Sequence, residues 1–116
     1  MHEGIDGFSM PTTDAVEQAA ERLRILADPT RLRVLWALAQ GESSVTCLAE
    51  LTGAHPTAVS QHLAKLRMTG LVHARRQGTF QYYTVTDPSI VKLVETAMGE
   101  AITPGARRKP RKLTTA

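Results

Sequence analysis

Between Val45 and Met68 the sequence VTCLAELTGAHPTAVSQHLAKLRM allows little except two short helices held close together. Thr52-Gly53 stops the first run, and Pro56, three residues after Gly53, is tolerated only in the first turn of a second. In the first run Val45, Leu48, Ala49 and Leu51 are expected to face inward. In the second, Val59, Leu63 and Leu66 recur at i, i+4 and i+7, which sets one buried stripe. Two amphipathic helices joined by so short a Gly-containing turn make a helix-turn-helix.

The face opposite that stripe is unusual for a solvated helix. At about 100° per residue, Thr57, Gln61 and Ala64 lie across from it, with Ser60 and Lys65 on the flanks. Exposed helices more often carry Glu and Lys four residues apart. Short neutral hydrogen-bonding side chains instead let a helix approach a surface rich in donors and acceptors, as the major groove of DNA is. Charge placement agrees. Residues 1–50 hold eight acids against four arginines, whereas residues 51–86 hold Lys65, Arg67, Arg75, Arg76, three histidines and no carboxylate. An Asp or Glu in that stretch would repel phosphate.

The remaining chain supplies a frame. Residues 1–12 are Gly-rich and aperiodic, a flexible N-terminal arm. Asp14, with Glu17 returning the bond, is placed to cap a helix over 14–27 that carries Val16, Ala19, Ala20, Leu23, Leu26 and Ala27 at helical spacing. Asp28-Pro29 opens a second helix, 29–40, with Leu32, Leu35, Trp36 and Ala39 inward and Gly41 as its stop. After Gly70 the alternation in VHARRQGTFQYYTV reads as a hairpin with Gly78 at its turn, Val72 and Ala74 sharing a face with Tyr83 and Val85. Such a ribbon, with arginines near its tip, is a wing that reaches phosphates. Asp87-Pro88 caps a last helix over 88–102, which is apolar over more than one face and therefore expects cover from a partner subunit. Residues 103–116 hold five basic residues, two prolines and no acid, a basic disordered tail. Residues 13–102 are thus one winged helix-turn-helix domain, mainly α with a small β-hairpin wing.

Composition agrees with a single small domain: 116 residues, 42% of them apolar and only 4% aromatic, favour helices packing on helices. The single cysteine, Cys47, excludes an intrachain disulfide and reads as a small buried residue. No apolar run approaches the roughly 18 residues of a membrane span, and no signal peptide is visible, so a cytoplasmic protein is expected. The sequence contains no Gly-rich phosphate loop, no His/Cys cluster and no compact Ser/His/Asp arrangement; an enzyme with a small-molecule substrate is not expected.

The segments ADPTRLRVLWAL (27–38), VTCLAELTG (45–53), AVSQHLAKLRMTGLV (58–72) and RRQGTFQYYTV (75–85) resemble, in order, the ArsR/SmtB family of winged helix-turn-helix regulators. The resemblance implies a homodimer formed through helices one and five, bound to an inverted-repeat operator in double-stranded DNA. It places Thr57, Ser60 and Gln61 against bases and Arg75, Arg76 and Thr79 in the wing, with Lys65 and Arg67 on phosphate. His62 falls in the family's Ser-x-His-Leu pattern and, bordering the buried stripe, is read as a packing and hydrogen-bonding residue.

Family members commonly respond to metals or thiol oxidation. The dithiolate site needs Cys-x-Cys on the third helix, and only Cys47 is present. The site on the last helix needs Asp-x-His. Here Asp87 matches, Ser89 replaces the histidine, and Glu100 and Thr103 stand at the later positions. MHEGIDG resembles the His-containing arm of nickel and cobalt sensors among actinobacterial relatives. His2 and the amine of Met1, with Glu3 or Asp6 and completed by Asp87 or Glu100 at the dimer edge, are therefore expected to hold Ni(II) or another divalent transition metal as effector. A metal-independent regulator of the same fold and a protein-docking winged helix remain the alternatives.

Overall fold

The computed structural model describes residues 6–102; Met1, His2, Glu3 and the basic stretch 103–116 lie outside the described residues. Five helices and three strands follow in the order α1 (Thr13–Leu26), α2 (Pro29–Gln40), β1 (Ser43–Ser44), α3 (Val45–Thr52), α4 (Pro56–Met68), β2 (His73–Gln77), β3 (Phe80–Thr84) and α5 (Pro88–Met98). Helix α2 is the centre, packed against α1, α3, α4 and α5.

Local chemistry explains most boundaries. Asp28 caps α2 by accepting from the Arg31 amide at 2.9 Å, and Pro29 stands in its first turn. Ser44 caps α3, which closes at Gly53 in the left-handed conformation (φ 75°) that a side chain would resist. The cap of α1 is Thr12, whose hydroxyl accepts from the Ala15 amide at 3.1 Å, rather than Asp14. Asp14 sits instead in the first turn, suited to the helix dipole, and accepts from Gln18 at 3.0 Å.

The core departs from the sequence expectation where one helix is covered from several sides. In α2 the buried residues are Val34, Leu35, Ala37 and Leu38, while Leu32, Trp36 and Ala39 are half-buried. A central helix wrapped by four neighbours buries a wider arc than a single amphipathic stripe. In α3 the inward position taken up is that of Cys47, and Leu51 is 39% exposed. Helix α4 follows expectation: Val59, Leu63 and Leu66 each have no accessible surface. Helix α5 stops at Met98 because Gly99 turns left-handed (φ 71°); Ile102 then folds back, its amide donating to Glu95 Oε2 at 2.8 Å.

The wing belongs to a three-stranded antiparallel sheet of order β1-β3-β2. Ser43 pairs with Tyr83 and Ser44 with Tyr82, so the two-residue strand β1 stitches the hairpin to the helical body. Nothing in a Ser-Ser pair announces a strand; it forms because β3 leaves an open edge beside it. Val72 and Tyr83 are buried, with Ala74 and Val85 packed on the same core, as the alternation implied.

One large face stays uncovered. Of α1 only Ile25 and Leu26 are buried, and Val16 and Leu23 are 48% and 53% exposed. An apolar groove of about 210 Å³ runs between α1, α2 and α5, lined by residues that include Leu23, Leu32, Leu93 and Ala97.

Replacing Leu63 by Ala should remove a side chain that packs from every side and lower stability by about 3 kcal/mol. Met68→Ala, at a position 87% exposed, should change it by less than about 0.5 kcal/mol. Urea denaturation at a fixed protomer concentration checks both.

Candidate nucleic-acid interface

The turn between α3 and α4 aims the second helix. After Gly53 the chain passes through Ala54 to His55, which caps α4: its Nδ1 accepts from the Thr57 amide at 3.1 Å. An accepting Nδ1 requires the ring proton on Nε2, at an exposed position beside the helix start. Pro56, the first helical residue, has no amide proton to leave unsatisfied. With the Val59, Leu63 and Leu66 stripe buried, Thr57, Ser60, Gln61, Ala64, Lys65 and Arg67 are all exposed. All but Arg67, which only the resemblance singled out, are residues that the helical period placed outward, and all of them are solvent-exposed on α4.

His62 lies at the border of that surface and is tied down. Arg31 Nη1 contacts its Nδ1 at 3.2 Å, and since arginine can only donate, Nδ1 is the acceptor. Its Nε2 then lies 3.8 Å from Asp28 Oδ2, and Arg31 also donates through Nε to the carbonyl of Ile25 at the end of α1. One arginine therefore links the end of α1, the start of α2 and the middle of α4. The Asp28 carboxyl is held below its ordinary 3.8, chiefly by the Arg31 amide, against an opposing desolvation, with the Arg31 and His62 side chains adding attraction.

In the wing, Gly78 (φ 63°) and Thr79 form the turn, and Arg76 and Thr79 are exposed. Arg75 is held. Its Nε and Nη2 each donate to Glu42 at 2.6 Å, Nη1 donates to Gln77 at 2.9 Å, and its guanidinium lies 5.1 Å from the Tyr82 ring centroid. The Glu42 carboxyl is lowered from 4.5 first by that side-chain bond, against desolvation. Sequence reasoning missed Glu42, since nothing local signals a partner 33 residues away, and missed His55 as a cap because imidazole is not a usual one.

Within one protomer Asp87 and Glu100, two of the acids proposed as metal ligands, do not meet. Asp87 caps α5: its Oδ1 accepts from the Ser89 amide at 2.9 Å and the Ser89 hydroxyl at 2.7 Å, bonds that keep its carboxyl below 3.8. Glu100 lies beyond the other end of α5, about 16 Å away along an 11-residue helix. No group of three or more His, Cys, Asp or Glu able to hold a metal forms among the described residues. Cys47 is fully buried, its thiol 3.9 Å from the Ser43 hydroxyl.

Known proteins place this architecture. The family model described as bacterial regulatory protein, arsR family, matches residues 28–74, from the Asp28 cap to the first wing strand. Over 88 residues, 76% of this chain and 68% of the relative, the sequence is 48% identical to the HTH-type transcriptional regulator KmtR of Mycobacterium tuberculosis. The chain belongs to the ArsR family of bacterial regulatory proteins. It is also 36% identical over 102 residues to the regulator NmtR of the same organism, covering 84% of this chain and 85% of that one. In three dimensions it matches the homodimeric winged helix-turn-helix DNA-binding domain Mb0332 of Mycobacterium bovis with a TM-score of 0.68 at 36% identity, over 82% of this chain and 88% of that one. As an ArsR-family member it is a transcriptional regulator and not an enzyme.

Asp28→Asn keeps a capping side chain but removes the charge that Arg31 and His62 favour. A carboxylate depressed in the folded state stabilises above its unfolded value of 3.8, and that contribution vanishes as pH falls through the lower native value. Urea midpoints measured from neutral pH into the acid range should therefore fall less steeply for Asp28→Asn than for the unmodified chain.

Proposed function

We propose that the chain acts as a homodimer that binds an inverted-repeat operator in double-stranded DNA, with α4 in the major groove. One observation carries this reading: the exposed face of α4 presents Thr57, Ser60 and Gln61, backed by a fully buried stripe, within a stretch that holds no carboxylate. Thr57, Ser60 and Gln61 are assigned to base edges; Gln suits the paired donor and acceptor of adenine. Lys65, Arg67, Arg76 and Thr79 are assigned to the phosphates on either side.

Dimerisation is supported by the uncovered apolar faces of α1 and α5 and the groove between them. The similar Mb0332 domain is homodimeric. Two-fold pairing would set the two recognition helices about 34 Å apart, one helical turn of DNA. A protein-docking winged helix would have no use for an acid-free surface.

For the effector we infer a divalent transition metal, nickel first, with the nitrogen supplied by His2 and oxygens by Glu3 or Asp6, completed at the dimer edge by either Asp87 or Glu100. The described residues alone fit such an ion poorly. At the last helix Asp87 and Glu100 offer only carboxylates, Ser89 stands where an imidazole would be needed, and Asp87 Oδ1 already serves as a cap. That shortage of nitrogen favours, as the second reading, a regulator that senses no metal.

Fluorescence anisotropy with the promoter of its own operon and a scrambled duplex, across salt concentrations, tests the main reading. Equal affinity for the two duplexes discards it. Gln61→Ala should weaken operator binding by about 1–3 kcal/mol and relax the preference at one position per half-site. Lys65→Ala should weaken all duplexes alike and make the salt slope shallower by about two, one per protomer.

Nickel titration by calorimetry decides the effector. His2→Ala should abolish binding to the intact chain; a heat signal that survives the substitution removes His2 from the proposal.

A further inference from the structure

Resting on the DNA-binding reading, we infer that Glu42 is a specificity-determining residue of the wing, holding Arg75 as a structural strut and withholding its charge from the DNA backbone. Arg75 and Arg76 are neighbours in β2 with different surroundings. Arg75 stands opposite Tyr82 in the register, while Arg76 stands opposite Gln81, so the two side chains leave opposite faces of the ribbon. The Arg75 guanidinium meets the Glu42 carboxylate fork to fork, with two bonds of 2.6 Å, bonds Gln77 with a third nitrogen, and lies over the Tyr82 ring. Arg76 is exposed and forms no ion pair among the described residues.

Glu42 precedes the acid-free stretch in sequence and is carried beside it by the pairing of Ser43 with Tyr83. Its side chain is 20% exposed and that of Arg75 50%, so a phosphate could reach the arginine only by competing with a carboxylate already in place. A neutralised pair releases no counterions and adds nothing to sequence-independent attraction. The wing therefore presents one effective cation per protomer, Arg76, at an angle set by a strut between β2 and the segment leading into β1. Weak nonspecific attraction leaves discrimination to α4.

The experiment is a salt titration of binding to operator and scrambled duplexes by the full-length chain and three variants. Glu42→Gln uncovers the Arg75 charge. It should steepen the salt slope by about two per dimer, roughly a tenfold change between 50 and 200 mM salt. It should also tighten binding to the scrambled duplex and narrow the preference for operator. The double variant Glu42→Gln/Arg75→Gln, which removes both charges, should keep the original slope. Arg76→Gln should make the slope shallower by about two. A Glu42→Gln slope equal to the unmodified one, or a double variant as shallow as Arg76→Gln, overturns the inference while operator preference by the unmodified chain stands. Loss of preference in the unmodified chain overturns the DNA reading and this inference together.

Discussion

Burial of Val59, Leu63 and Leu66 against α2 and α3 sets the rotation of α4 about its own axis, and every functional assignment depends on that rotation. A turn of 100° would carry Gln61 from the outer face toward the flank and bring His62 outward. Three branched side chains with no accessible surface cannot be shifted without opening a cavity on one side and a clash on the other. The recognition surface is rigid because its reverse side is core.

Electrostatics refine what packing orients. The acid-free stretch is not simply a positive patch, because two carboxylates from earlier in the chain are brought to its edges and each is committed. Asp28 caps α2 and steadies His62 through the Arg31 network; Glu42 engages Arg75. Both carboxyls are held below their ordinary values by these bonds, so both are ionised wherever the protein is folded at neutral pH. The charges left open to solvent on α4 and the wing, Lys65, Arg67 and Arg76, are cationic.

The described chain is unfinished on the side of α1 and α5. An amphipathic helix that buries only its last two residues has little reason to stay folded in isolation, because helical stability in water comes mainly from packing of the apolar face. In the homodimer proposed above, a second copy laid across the groove would bury Leu23 and Ala97 and, by its symmetry, double the proposed DNA-binding surface.

The sequence by itself determined the helix-turn-helix, the stripe of α4 and its outward residues, the Asp28 and Asp87 caps, and the hairpin turn at Gly78. These are local features: residues within a few positions of one another, obeying periods of 3.6 or 2 and the stereochemistry of Gly and Pro. Only the tertiary structure decided which arc of α2 is buried, that Ser43–Ser44 is a strand, that Leu51 faces outward, and that Arg75 belongs to Glu42 rather than to solvent. Each of these depends on a neighbour distant in sequence, a strand edge or a carboxylate brought near by folding, and local pattern carries no record of such partners.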